Sequence, residues 1–366
     1  MPADGFSMRL DAAGSGPTVA VKDLFDMVGI PTTAGSAAVQ PEPATADAAC
    51  LAGIRAGARI VGRTAMHELA YGITGVNPWQ GTPVNPIDPL LVPGGSSSGA
   101  AVVVANGAAE VALGSDTGGS VRIPAACCGV AGLKTTWGRI SLDGVWPLAP
   151  SFDTAGPLAR DVAGLVLGMQ LLEPGFTPAG RDVRIGRLPV DAADGVWAAV
   201  LAALGGFPVV ELPELLAGWN DASPAAGLLL GVEAWAAQGR LVEQRGSWMH
   251  EDVRARFERG RDTPAAQVSA ALLVRERWRA ELDEVFTRVD LLALPTLADV
   301  PAPLADPQRM YASRLTLPVN LAGLPALALP VPRRDGPPAS LQLVGPAGAE
   351  ELLLAIGQQL EAGLTP

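Results

Sequence analysis

Residues 92–140 read VPGGSSSGAAVVVANGAAEVALGSDTGGSVRIPAACCGVAGLKTTWGRI. Two Gly/Ser clusters stand out, 94–99 (GGSSSG) and 114–120 (GSDTGGS), with Ser96 and Ser120 24 residues apart. Between them, 97–109 (SSGAAVVVANGAA) predicts a buried small-residue helix, preceded by Ser and Gly as a helix start requires. Residues 110–114 (EVALG) then predict a strand. A helix followed by a returning strand brings the two clusters together. Glycines there permit positive φ and close backbone approach, so successive N–H groups can converge on an anion or a developing oxyanion. Neither cluster fits the phosphate-binding patterns, because no lysine follows the Gly-rich run and no G-x-G-x-x-G occurs. Tight packing of small residues remains the alternative at this point.

Outward from this segment, helices and apolar strands alternate. Strands are expected at 17–22, 59–62, 183–187, near 208–211, and at 290–294, 326–330 and 340–344; helices at 44–58, 193–204, 222–239, 264–288 and about 348–361. Residues 157–172 (PLARDVAGLVLGMQLL) predict an amphipathic helix opened by Pro157. The segment 121–129 is too short to assign. The alternation predicts an α/β protein with a largely buried sheet. With no repeat and no low-complexity linker, residues 1–366 are expected to form a single domain carrying a compact helical insertion at about 190–288.

Composition narrows the chemistry. The chain is 49% hydrophobic and 17% charged, enough for a sizeable core. Its net charge of −11 leads to the expectation of no nucleic-acid partner and no attraction to an anionic membrane. No stretch of 18 uncharged apolar residues spans a bilayer, the first residues carry no leader pattern, and three cysteines make no disulfide framework. A cytoplasmic protein is therefore expected. Two histidines, His67 and His250, rule out a three-histidine metal site. Of 26 basic residues only Lys22 and Lys134 are lysines, both in apolar, Gly-rich surroundings. A buried lysine can give up its proton, whereas arginine cannot.

The motifs resemble the amidase signature family. GGSSSGAA (94–101) and GSDTGGSVRIPAACCGVAGLKTTWGR (114–139) match its Gly/Ser-rich core. VKDLFDMVGIPTTAG (21–35), VGRTAMHELAYG (61–72), NPWQGTPVNP (77–86), PLAPSFDTAGPLARDV (147–162), LPVNLAGLPALALPVP (317–332) and LQLVG (341–345) match flanking segments. The likeness is tight over about 21–172 and loose over 288–362. It implies the amidase signature fold, a mixed central β-sheet covered by helices on both faces. It also implies a Ser–Ser–Lys triad, with Ser120 as nucleophile, Ser96 as bridging serine and Lys22 as base. A cis peptide at Gly95–Ser96 and an oxyanion hole from the N–H groups of Thr117, Gly118 and Gly119 follow from the same motifs. No cofactor or metal is implied. One departure is Lys134–Thr135, where many members have Lys-Pro.

The chemistry is self-consistent. A serine hydroxyl needs a base before it attacks an amide, and burial makes lysine such a base. Asp116 is expected to order the nucleophile loop or pair with Arg122, and Gly95 and Ser97 to support the loops. Met66, Tyr71, Trp79 and Cys128 are the pocket candidates, with core packing as the alternative for each. The expected substrate is a small, mainly apolar carboxylic acid amide, in the manner of indole-acetamide hydrolases, and a homodimer is the default assembly. The alternatives are an amidotransferase subunit supplying ammonia for tRNA-dependent amidation, and a catalytically silent binding or scaffold protein.

Overall fold

The computed structural model describes residues 3–12, 14–310 and 312–364. Its strands are β1 (Phe6–Arg9), β2 (Thr18–Lys22), β3 (Arg59–Thr64), β4 (Val111–Ser115), β5 (Ala131–Lys134), β6 (Ala155–Ala159), β7 (Ile185–Arg187), β8 (Val209–Glu211), β9 (Leu291–Pro295), β10 (Ala326–Val331) and β11 (Ala339–Val344). Its α-helices are α1 (Ala52–Gly57), α2 (Ser98–Ala105), α3 (Arg122–Cys128), α4 (Val162–Leu172), α5 (Asp194–Ala203), α6 (Leu216–Arg245), α7 (Glu251–Arg261), α8 (Ala265–Val285), α9 (Leu317–Ala322) and α10 (Glu350–Leu364). The strands form one mixed sheet in the order β1-β3-β2-β4-β6-β5-β10-β11-β9-β7-β8.

Alternation of side chains along the strands builds a core on each face. In β2, Val19 and Val21 belong to one buried cluster with Leu165 and Met169 of α4 and Leu353 of α10. Ala20 between them points toward Ala100–Val104 of α2 and Val121 and Ala125 at α3. β4 repeats the pattern, with Val111 and Leu113 on the first face and Ala112 on the second. Helices therefore cover both faces, and the small residues of α2 let it lie close to the sheet. A third cluster joins α6 and α8 to β9 through Trp219, Trp278 and Leu292.

Three expectations change. Pro157 opens no helix. It lies inside β6, beyond the Ala159 and Leu158 positions where β5 pairs, and α4 begins later, capped by Asp161 accepting from the Gly164 N–H at 2.8 Å. The helix expected at 44–58 is confined to a 3-10 turn at Ala49–Leu51 and α1. The central helix expected at 222–239 extends over Leu216–Arg245, running through Pro224, and α7 follows it where no helix was assigned.

The topology gathers functional side chains at one sheet end. β2 runs parallel to β4, with Val21 beside Leu113, so Lys22 and Ser115 close two adjacent strands. α2 and α3 start from the two Gly/Ser loops above that end.

Candidate active site

Lys22, Ser96 and Ser120 are all buried. The Lys22 Nζ lies 2.7 Å from the Ser96 Oγ and 2.9 Å from the Ser115 Oγ. The Gly95–Ser96 peptide bond is cis. The two loops are tied by the Ser97 N–H, which donates to the Ser120 carbonyl at 3.1 Å, and by the Ser97 hydroxyl, which donates to the Ser115 carbonyl at 3.3 Å. The side chains of Ser96 and Ser120 are not hydrogen-bonded to each other, a bond that in apo sites often tightens only with substrate. Ser120 instead faces a cavity of about 410 Å³.

Complete burial draws the Lys22 amine down to about 7, against the opposing pull of the Asp116 and Asp153 carboxylates. It can therefore lose its proton near neutrality. Ser115, at the end of β4, is the second partner of that amine. Lys134 is also buried and drawn down to about 7 by burial, but its amine donates to the Thr135 and Leu324 carbonyls. A lysine held by carbonyls alone has no hydroxyl to deprotonate.

Asp116 and Arg122 form the hub under the 114–120 loop. Arg122 reaches Asp116 at 2.9 and 3.0 Å, Gln342 at 2.6 Å and Asn320 at 2.5 Å, all out of solvent. Asp116 also accepts from the N–H groups of Gly119 at 2.8 Å and Val121 at 3.1 Å. The Arg122 charge holds the Asp116 carboxyl well below the usual range despite burial. The Gly119 N–H is thus committed to Asp116, and this corrects its expected place in an oxyanion hole; the Thr117 and Gly118 N–H groups stay outside the hub. Gly119 has φ +123°, and a side-chain carbon there would lie 2.4 Å from the Thr316 Oγ1, so only glycine fits. Thr117 donates its hydroxyl to Asp153 at 2.6 Å. Burial raises Asp153 to about 6 although that bond and the Leu148 and Ala149 N–H groups oppose the shift.

Of the pocket candidates, Tyr71 lines the cavity at Ser120. Met66, Trp79 and Cys128 are not among its described lining residues. Met66 is packed in the core, Trp79 is about half exposed, and Cys128 is buried with its thiol donating to the Pro93 carbonyl at 3.3 Å. Sequence reasoning missed Arg256 and Arg259 of α7, which do line it. Their spacing was a signal, but α7 itself had not been assigned. Among the described residues, no group of three or more His, Cys, Asp or Glu side chains could hold a metal ion, and no helix is long and apolar enough to cross a membrane.

A family model described as Amidase matches residues 15–175 and 226–354. The chain is 33% identical to a glutamyl-tRNA(Gln) amidotransferase component from Methanospirillum hungatei, over 96% of this chain and 94% of the relative. It is 36% identical to the 2-amino-5-chloromuconic acid deaminase of Comamonas testosteroni, over 95% of this chain and 81% of the relative. A solved structure described as an amidase superposes with a TM-score of 0.86 at 35% identity, covering 95% of this chain and 84% of that one. These relatives overturn the expectation of no nucleic-acid partner, since the Methanospirillum protein is named for a tRNA. The physical reason is that net charge sums a whole surface and does not exclude a local basic patch or a basic partner subunit.

Proposed function

This chain belongs to the amidase family, and we propose that it hydrolyses a carboxamide to the acid and ammonia through Ser120, with Ser96 and Lys22 as the proton path. The observation that carries this reading is the buried Lys22 amine 2.7 Å from the Ser96 hydroxyl. In its neutral form the amine donates to Ser115 and accepts from Ser96. Ser96 then accepts the Ser120 proton as the Ser120 oxygen attacks the amide carbon. The C–N bond breaks, the relay returns the proton to the nitrogen, and ammonia leaves. Water, deprotonated along the same path, attacks the acyl-enzyme, releases the acid and restores Ser120. In this reading the Thr117 and Gly118 N–H groups receive the oxyanion, and one such donor contributes roughly 3–4 kcal/mol.

The relatives named as amidotransferase components support a fate for the ammonia: consumption in a tRNA-dependent amidation, with this chain as the ammonia-releasing component. That reading stands ahead of a free-standing hydrolase of an apolar amide such as indole-acetamide, which none of the relatives named above singles out. A free-standing hydrolase of a small acid amide is the second reading, favoured by the arginines that line the cavity. Ammonia release by the purified chain tests the chemistry. Turnover that survives unchanged in Ser120→Ala overturns it. Amidation of glutamyl-tRNA only when partner subunits are added separates the first fate from the second.

A further inference from the structure

The cavity at Ser120 has one charged wall. Arg256, Arg259 and Gly260 lie on one face of α7, at the i, i+3, i+4 spacing of helical neighbours, and all three line the cavity. They are held there by contact between helix backbones. A side-chain carbon on Gly260 would lie 2.0 Å from the Gly231 carbonyl oxygen of α6, so the two helices touch without side chains between them. Arg256 is half-buried and shares its charge with Asp252, 2.9 Å away on the solvent side. Arg259 has no ion-pair partner among the described residues. No carboxylate is among the described residues that line this cavity. On the facing wall, Tyr71 lies close enough for both guanidinium charges to favour its phenolate, although burial outweighs them and raises its pKa.

Resting on the free-standing hydrolase reading above, we infer that the substrate is an amide whose acyl chain ends in a carboxylate received by Arg256 and Arg259, and that it carries no ammonium group. Monoamides of dicarboxylic acids have this chemistry. A guanidinium fork pairs with a carboxylate through charge-assisted hydrogen bonds, while an ammonium in the same cavity meets two like charges and no counter-charge. An α-amino acid amide presents both groups and is therefore disfavoured. A neutral amide of equal length loses the pairing and leaves Arg259 without a counter-charge.

The test compares three amides of matched length on the full chain, by ammonia release: glutaramate, pentanamide and L-glutamine. Glutaramate is expected to exceed each of the others in kcat/KM by roughly tenfold or more, the scale of a charge-assisted hydrogen bond. Arg259→Met is expected to reduce the glutaramate-to-pentanamide ratio of kcat/KM about tenfold, chiefly through KM, and Arg259→Lys to restore part of it. Glutarate, but not pentanamide, is expected to slow labelling of Ser120 by a fluorophosphonate. Pentanamide or glutamine matching glutaramate overturns the inference, as does an unchanged ratio in Arg259→Met. If Ser120 is labelled but glutaramate is not hydrolysed and glutarate gives no protection, the substrate class is wrong and the hydrolase reading stands. If Ser120 is neither labelled nor active on any amide, the hydrolase reading itself fails.

Discussion

Lys22 and Lys134 share burial and a depressed pKa of about 7, and their partners alone separate them. Lys22 meets two hydroxyls, and Lys134 meets two carbonyls. kcat/KM is expected to rise with pH through about 7 and then level off, because the reactive form of Lys22 is the neutral one. Lys22→Met should lower kcat by roughly 10²–10⁴-fold, the contribution of a positioned general base. Lys134→Met should change stability while leaving the acid limb of the profile in place. Ser115→Ala removes an acceptor that favours the ammonium form, so the acid limb should move to lower pH while the plateau falls. The pairing of Lys22 with Ser96 was legible in the sequence because long ordered motifs carry both residues. Ser115 as a partner of Lys22 was not, since it depends on β2 and β4 ending side by side.

At the level of elements, the Asp116–Arg122 pair shows how α3 holds the 114–120 loop. Both side chains are fully buried, and Arg122 also reaches Asn320 at 2.5 Å and Gln342 at 2.6 Å. Arg122→Met leaves the Asp116 charge unpaired in the interior and should cost roughly 3–5 kcal/mol, read as a shift in the urea midpoint. Asp116→Asn combined with Arg122→Met should cost less than the two changes summed, since the pair is coupled. Gly260→Ala should part α6 from α7 and destabilise by about 1–3 kcal/mol, with KM rising as the arginine wall moves. The apolar strands and α2 were readable from periodicity. Pro157 misled because proline at a helix start and proline in a strand beyond its neighbour's ladder look alike in one dimension. α7 was missed because its residues 251–261 (EDVRARFERGR) are mostly charged, with Val253 and Phe257 its only buried apolar side chains.

Across the whole molecule, buried cationic groups tie folding to pH. His67 is buried and drawn from its ordinary 6.5 to about 3, chiefly by burial, so the unfolded chain takes up its proton first. Its contribution to stability is present above 6.5 and lost as pH falls toward 3. A His67→Asn variant should therefore lose less stability than the parent across that window, measured by denaturant unfolding at stepped pH. Lys22 and Lys134 are drawn from 10.5 to about 7, so stability should also fall as pH drops from 10.5 to 7. The α/β architecture and the two-faced sheet were readable from alternating apolar segments. The cavity was not, because its walls come from 70–73, 117–120, α6 and α7, which only the fold brings together. The most direct measurement is the pH dependence of Ser120 labelling by a fluorophosphonate, followed by intact mass in the parent chain and in Lys22→Met. An inflection near 7 in the parent and its loss, with much slower labelling, in Lys22→Met is the expected result. Labelling of equal rate and equal pH dependence in both chains would contradict a relay that begins at Lys22.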